Sequence, residues 1–141
     1  MDLPDVNICL AAFREDHPDH QRCRQWLTAA AASGRRLGMS PQVLSAVVRI
    51  STQGAFMGGM PSLLEDALAF GDRVLGHPGV HHVQPGSGHW TLFASLCLSA
   101  HAKGRLAADA WFAALAMEHD CTWITLDADY GRISGLRWQR L

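Results

Sequence analysis

The sequence lacks three features that would assign it to a class at once: a paired cysteine motif, a long apolar run and an excess of one charge. Its four cysteines lie far apart without CxxC spacing, which favours reduced thiols that pack as small apolar side chains. The chain contains no run of about 18 apolar residues, which would predict a membrane helix. Its first ten residues also lack the segments of a signal peptide. We therefore expect a cytoplasmic protein without a membrane partner.

Charge and composition exclude further classes. The chain has 12 Lys and Arg against 13 Asp and Glu, so binding to a nucleic acid would depend on a local basic surface. Apolar residues make up 48% and charged residues 18%, which excludes disorder. The length of 141 residues and the absence of repeats or linkers predict a single domain over residues 1–141.

Short apolar segments alternate with longer helical patterns along the chain. The segments that we assign to strands are residues 2–5, 37–39, 80–84, 121–126 and 136–138. Helices between successive strands indicate βαβ units with right-handed connections. The predicted fold class is α/β: a three-layer α/β/α sandwich with a mostly parallel central sheet of four to five strands.

Three helix starts are predicted from capping signals. Asp16 precedes one helix, Ser40 precedes a second, and Ser62–Glu65 forms a capping box before a third. The third helix follows a predicted loop over residues 54–60. Its predicted buried residues are Leu64, Leu68 and Leu75 or their neighbours.

Four carboxylates stand at positions that a parallel sheet would bring together. Asp5 ends the first predicted strand, whereas Asp127 and Asp129 follow the fourth, and Asp109 lies in the first turn of the helix before that fourth strand. The carboxyl ends of parallel strands share one edge of a sheet. Oxygen ligands suit Mg²⁺ or Mn²⁺, and without a cation crowded carboxylates raise the pKa of at least one of them.

A divalent cation at these carboxylates would activate water and neutralise the charge of a phosphodiester during in-line attack. Each acid, taken singly, also has a purely structural interpretation. Asp109 would then be stabilised by the helix dipole, and Asp127 and Asp129 would form a turn.

Taken together, these segments resemble the PIN domain and, more narrowly, the VapC-type toxins of bacterial toxin–antitoxin pairs. The resemblance covers nearly the whole chain. The segments that carry it are Asp5-Val6-Asn7, His17–His20, Val48–Ile50, Asp109–His119, Thr125–Tyr130 and Gly135–Trp138.

The resemblance implies a PIN-like fold and a Mg²⁺- or Mn²⁺-dependent endoribonuclease, a hydrolase that acts as a toxin. It also implies a cognate antitoxin, a homodimer and an RNA substrate, with tRNA and rRNA as candidates. Asp5, Asp109 and Asp127 match the metal ligands, and together with Asp129, an auxiliary acid, they match the catalytic residues. Asn7 and Thr125 match polar residues that line such sites.

One position departs from the family pattern. Many PIN domains carry a Glu where this chain has Ala46, which implies fewer direct ligands and leaves open whether one or two ions bind. This motivates an alternative function, a PIN-like module that binds antitoxin or RNA with little or no cleavage. Arg49, on the same apolar helix, is predicted to contact a phosphate or a site carboxylate, or else to form a surface ion pair. Arg14, Lys103 and Arg105 are the other cations that we expect near the site.

Two further classes are disfavoured. The eight histidines form no pairs with zinc-ligand spacing. A phosphoacceptor receiver-like domain also gathers acids at strand ends, but it needs a lysine after a late strand, and the single lysine, Lys103, lies between two predicted helices.

Overall fold

The computed structural model describes residues 1–34, 36–54 and 59–141, so Arg35 and part of the predicted 54–60 loop, including Gly58, lie outside the described residues. The strands are β1 (Asp2–Pro4), β2 (Leu37–Met39), β3 (Val80–His82), β4 (Thr122–Thr125) and β5 (Trp138–Arg140). The α-helices are α1 (Val6–Phe13), α2 (His20–Ala32), α3 (Pro41–Ser51), α4 (Leu64–Leu75), α5 (His89–Ser99) and α6 (Arg105–Glu118). A 3₁₀ helix follows β4 at Ala128–Arg132.

The five strands form one sheet in the order β3-β2-β1-β4-β5, and every neighbouring pair is parallel. The predicted α/β class with a parallel sheet is thus confirmed. The chain moves outward from β1 through β2 to β3 and then returns to the other side of β1 with β4, where Pro4 lies opposite Ile124. The strand order therefore reverses between β1 and β4, and their carboxyl ends border the crevice in which such sheets bind ligands.

Helices cover the sheet because its central strands are apolar on both faces. In β4, Trp123 and Thr125 are fully buried and Ile124 is nearly so. The centre of α6 is rich in alanine, and three of these residues, Ala113, Ala114 and Ala116, are fully buried, so this helix approaches its neighbours closely. In the part of the chain that the structure describes, no helix is long and apolar enough to cross a membrane.

The prediction that Asp16 caps α2 was wrong. The helix begins at His20, with Asp19 at the cap position, and Asp16 instead forms an ion pair with Arg14. A guanidinium that meets a carboxylate with two N–H groups gives a stronger interaction than a cap to a backbone N–H.

The predicted capping box before α4 was also wrong. The helix begins at Leu64, and Leu63 at its cap position provides no side-chain hydrogen bond. The Ser62 hydroxyl accepts a hydrogen bond from Arg14 Nη1 at 3.1 Å. Arg14, which is 48 positions away in sequence, therefore binds the hydroxyl that the local pattern assigned to the helix cap.

The buried residues of α4 agree with the prediction only in part. Leu64 and Leu68 are each 50% exposed and Leu75 is half-buried, whereas Ala67 and Phe70 are buried. The start of α3 agrees with prediction, since the Ser40 hydroxyl accepts the Gln42 N–H at 3.3 Å. All four cysteines are free thiols, as predicted.

Candidate active site

Asp5 lies where β1 ends and α1 begins. Its Oδ1 accepts the Val6 N–H at 2.6 Å and so caps α1, while its own N–H donates to the Ile124 carbonyl on β4 at 2.8 Å. The residue is only 6% exposed. The backbone therefore fixes this carboxylate at the crevice between β1 and β4.

Thr125, the last residue of β4, connects the two strand ends. Its hydroxyl donates to Asp5 Oδ2 at 2.6 Å and accepts from Asn7 Nδ2 and from the Asp127 N–H, each at 3.0 Å. Asn7 Nδ2 also donates to Asp5 at 2.8 Å, and Asn7 Oδ1 accepts the Leu126 N–H at 3.1 Å. The hydroxyl thus uses its one donor and both of its acceptor sites. The structure places these two predicted site residues around the Asp5 carboxylate.

Asp127 follows β4 and caps the 3₁₀ helix, because its Oδ1 accepts the Asp129 N–H at 2.8 Å. Asp127 is half-buried, whereas Asp129 is exposed and lies 3.6 Å from Arg132 Nη2. The structural interpretation, in which Asp127 forms a turn, is therefore confirmed. It does not exclude a second role for its free oxygen.

Asp109 lies in the second turn of α6, not the first turn as predicted, because the helix begins at Arg105. Its carboxyl is half-buried, and this burial, reinforced by the negative charges of Asp127 and Asp129, raises its pKa above the ordinary value. Arg105 and a hydrogen bond with Tyr130 offset part of that increase.

The electrostatics of Asp5 show that the three acids lie close enough to interact. Burial raises its pKa to about 6, against the effect of the hydrogen bonds from Thr125 and Val6, and the charges of Asp109 and Asp127 raise it further. The sequence had predicted one carboxylate with a raised pKa. Carboxylates from β1, α6 and the end of β4 therefore form one acidic cluster, Asp5–Asp109–Asp127.

The donor set of the acidic cluster fits a hard divalent cation. The fit lies in the chemistry of the donors and not in a preformed geometry, because in the described ranges no three Asp, Glu, His or Cys side chains are arranged to hold an ion together. Among the same residues, no Lys, Arg or His forms an ion pair within 4.0 Å with an acid of the cluster. The cluster thus has oxygen ligands and an excess of negative charge, which are the properties that Mg²⁺ and Mn²⁺ sites share.

Neither Ala46 nor Arg49, the two residues of α3 that the sequence singled out, provides a ligand to this cluster. Ala46 is half-buried, and its methyl group has no atom that could bind a cation. Arg49 is exposed in the last turn of α3, and the described residues provide its guanidinium with no hydrogen bond or ion pair. Neither a phosphate contact nor a surface ion pair is therefore visible for Arg49.

The other predicted cations separate into two cases. Arg105 acts electrostatically on Asp109, whereas Arg14 binds Asp16 and the Met60 carbonyl instead of a site carboxylate. Lys103 is exposed just before α6.

A groove with a volume of about 840 Å³ lies apart from the cluster, with Leu27 of α2, Phe70 and Val74 of α4 and Met60 in its lining. None of the three clustered carboxylates lines it. The acids lie beside the carboxyl ends of β1 and β4, outside this groove.

Tyr130 is a residue to which sequence reasoning assigned no role. It is the single tyrosine of the chain, it is 3% exposed, and its ring packs on that of Trp123 with the centroids 5.6 Å apart. The signal that could have revealed it is its spacing from Asp127, since residues three apart lie on one side of a 3₁₀ helix.

Comparison with known proteins identifies relatives along the whole chain. The model of the PIN domain family matches residues 3–136. Ribonuclease VapC25 of Mycobacterium tuberculosis is 37% identical over 139 residues, which cover 97% of this chain and 96% of that protein. Ribonuclease VapC31 of the same organism is 35% identical over 139 residues, with the same two shares.

Solved structures show the same fold at low sequence identity. The structure of VapBC2 from Rickettsia felis, bound to a DNA fragment from the promoter, matches with a TM-score of 0.73 at 18% identity over 98% of this chain and 96% of that chain. FitAcB from Neisseria gonorrhoeae matches with a TM-score of 0.64 at 18% identity, over the same shares of the two chains. With a family model that spans nearly all of its length and relatives above 30% identity, this chain belongs to the PIN domain family.

Proposed function

We propose that this protein is the toxin of a toxin–antitoxin pair and a divalent-metal-dependent endoribonuclease that hydrolyses RNA phosphodiester bonds. The observation that carries the proposal is the acidic cluster at the reversal of strand order, with the pKa of Asp5 raised to about 6. The curated relatives support it, because those most similar in sequence are named as ribonucleases.

Asp5, Asp109 and Asp127 would hold Mg²⁺ or Mn²⁺ through their oxygens. The chemistry that such a cation supplies is activation of water and neutralisation of charge on the phosphodiester. The Ala46 position favours few protein ligands, so we expect one ion in preference to two.

The chain's own residues prepare the site in three ways. Thr125 and Asn7 hold the Asp5 carboxylate in one orientation through hydrogen bonds of 2.6 Å and 2.8 Å. Asp129 is exposed beside Asp127 and can accept a proton or orient water as an auxiliary acid. Arg105, close to Asp109, is exposed and offers a cation to the RNA backbone.

The partners follow from the same proposal. Solved structures that share the fold are named as VapBC and FitAB assemblies, which supports a cognate antitoxin that keeps this protein inactive. We further propose a homodimer in the cytoplasm, with tRNA or rRNA as substrate.

Cleavage of RNA by purified protein tests the proposal directly. Antitoxin-free protein is incubated with tRNA and with rRNA fragments in Mg²⁺, in Mn²⁺ and in EDTA. We expect cleavage with either cation and none in EDTA. Asp109→Asn should reduce cleavage about 100-fold, because it removes a ligand charge. The matched control is Asp72→Asn on the exposed side of α4, which should cleave as the unmodified protein does.

A second function stays open because Ala46 removes a family ligand. In that alternative, the protein binds RNA or antitoxin with little or no cleavage. RNA retention in a filter-binding assay without cleavage products in Mg²⁺ or Mn²⁺ would favour this function over the nuclease. Cleavage that persists unchanged in Asp109→Asn would exclude the site proposed above.

A further inference from the structure

Arg140 is the last residue of β5, the strand next to β4 at one side of the sheet. It lies opposite Thr125, the last residue of β4, and the two strands are parallel. The Leu141 N–H donates to the Thr125 carbonyl at 2.9 Å, so the pairing continues to the end of both strands. Neighbouring strands lie about 4.8 Å apart. Arg140 therefore stands one strand away from the threonine that holds Asp5.

Arg140 also lies on the face of the sheet that carries the acidic cluster. Thr125 directs its hydroxyl to Asp5, and a residue that pairs with it in register has its side chain on the same face. Trp138, two positions before Arg140, shares this face and is covered by the 3₁₀ helix, because a Cβ atom at Gly131 would lie 3.1 Å from the Trp138 ring. Beyond Trp138, Arg140 is the next residue on this face toward the carboxyl end of the sheet.

The charge of Arg140 is not compensated within the described part of the chain. Its side chain is exposed and takes part in none of the ion pairs among those residues. Two nearby arginines differ in this respect, since Arg132 lies 3.6 Å from Asp129 and Arg137 lies 2.7 Å from Asp120. A guanidinium without an internal partner can bind a phosphate with two parallel N–H groups.

A phosphate backbone would need such cations in order to approach the acidic cluster. The chain has a formal net charge of -1, so it exerts no general attraction on a polyanion. Arg105 is exposed and precedes Asp109 by four positions on α6, a spacing that puts both on one side of the helix. Arg140 provides a second exposed cation from a different element, β5.

We propose that Arg140 binds a phosphate of the RNA strand next to the phosphodiester that is cleaved, and so positions the strand across the acidic cluster. The inference deepens the proposed function, because it rests on RNA as the substrate. The competing explanation is a solvated surface arginine that affects RNA only through the total charge of the protein.

Arg140→Gln and Arg137→Gln separate the two explanations because each removes one positive charge from an exposed side chain. Arg137 directly precedes β5 and lies about 10 Å from Arg140, at the end of the strand away from the acids. Charges at that distance from a bound phosphate are largely screened at physiological ionic strength. Arg137→Gln is therefore the matched control for the loss of charge.

RNA affinity is measured by fluorescence anisotropy with a fluorescein-labelled single-stranded oligoribonucleotide in EDTA, so that no cleavage interferes. We expect Arg140→Gln to weaken binding about 10-fold, the order of one lost charge-assisted hydrogen bond. Arg137→Gln should weaken it roughly twofold or less. Equal affinities of the two variants would overturn the proposal.

The dependence of RNA affinity on salt gives a second measurement on the same proteins. For single strands, each lost phosphate contact makes the slope of log affinity against log salt concentration less steep by about 0.7. Arg140→Gln should show this change and Arg137→Gln should not. Arg140→Lys keeps the charge, so it should keep the slope and lose only the affinity that two parallel N–H groups add. An unchanged slope in Arg140→Gln would contradict the phosphate contact.

Steady-state cleavage in Mn²⁺ distinguishes failure of the inference from failure of the proposed function. We expect Arg140→Gln to raise the KM for the RNA about 10-fold and to leave kcat nearly unchanged, as loss of a uniform binding contact does. Protein that binds RNA through Arg140 but cleaves none would refute the nuclease and leave the contact. Protein that cleaves RNA with unchanged KM and unchanged affinity in Arg140→Gln would refute the contact alone.

Discussion

The Thr125 hydroxyl donates a hydrogen bond of 2.6 Å to Asp5 Oδ2, although 120 positions of sequence separate the two residues. The parallel pairing of β1 with β4, which places Pro4 opposite Ile124, brings them together. Asp5 is consequently a buried carboxylate whose partners are neutral donors. Such a group is held in place and still carries its full charge, which a cation ligand requires.

Removal of the Thr125 hydroxyl should destabilise the fold. Thr125→Val keeps the shape of the side chain but removes one of the donors to Asp5 Oδ2 and leaves the Asp127 N–H without its acceptor. We expect a loss of about 2 kcal/mol in the free energy of unfolding, measured by urea denaturation. Thr125→Ser, which restores the hydroxyl, is the control and should lose less. Equal urea midpoints for the two variants would show that this hydroxyl does not hold the strand ends.

Stability of the metal-free protein should fall as the pH rises through the range in which Asp5 ionises. Its pKa is about 6 in the folded protein against 3.8 for an unperturbed Asp, so between these values the folded state binds more protons than the unfolded state. The stabilisation is complete below pH 3.8 and is lost as the pH rises to about 6. The total loss from this group is at most about 3 kcal/mol.

Asp5→Asn provides the reference for that measurement, since it has no titrating group at this position. Urea denaturation of both proteins in EDTA between pH 4 and pH 7 gives the difference in their free energies of unfolding. The difference should shift in favour of the variant as the pH rises. A difference that stays constant across this range would show that the Asp5 pKa is not raised.

Arg14 should contribute to stability through a geometry that lysine cannot reproduce. Its guanidinium is buried and bonds to Asp16, to the Met60 carbonyl at 2.7 Å and to the Ser62 hydroxyl at 3.1 Å. We expect Arg14→Lys to cost about 1–2 kcal/mol in the free energy of unfolding, because an ammonium cannot replace the planar fork.

Arg22→Lys is the matched control for Arg14→Lys. Arg22 forms an exposed ion pair with Asp19 at 2.8 Å, and an exposed pair contributes less than about 1 kcal/mol. The two variants are compared by urea denaturation under identical conditions. If both lose the same stability, the fork geometry of Arg14 has no particular role.

The four thiols should react at different rates. Cys97 is partly exposed, whereas burial raises the pKa of Cys9, Cys23 and Cys121. In native protein at pH 8, a disulfide reagent should therefore modify Cys97 first, because it can reach this thiol while burial blocks access to the other three and lowers their thiolate fraction. Cys97→Ser should abolish the fast phase of the reaction. A fast phase that persists in Cys97→Ser would place the reactive thiol elsewhere.

Short-range features of the fold could be predicted from the sequence because their causes are local. The alternation of apolar segments with helical patterns predicted the α/β class, and Ser40 before Pro41 predicted the start of α3. The carboxylates at the ends of predicted strands identified Asp5 and Asp127 as neighbours, since parallel strands end at one edge.

Features that depend on distant partners were predicted wrongly or not at all. Ser62 has the local signature of a helix cap, yet it binds Arg14, which tertiary packing brings from 48 positions away. Asp16 binds the same guanidinium, although Arg14 is only two positions away from it in sequence. The face of α4 that is buried depends on which neighbour covers it, so the leucine pattern alone could not show that Leu64 and Leu68 are exposed while Leu75 packs against the core. The burial of Tyr130 against the Trp123 ring was not predicted, because it depends on how the 3₁₀ helix packs on β4.

The sequence by itself therefore determined the elements, the class of fold and the acids that a cation site would use. Only the tertiary structure decided how those acids are held. Hydrogen-bond partners such as Thr125 for Asp5 and Asn7 for Leu126 are set by strand order and helix packing, which bring together residues far apart in the chain. Local periodicity carries no information about such pairs, because the free energy that selects them comes from burial and hydrogen bonding in the folded state.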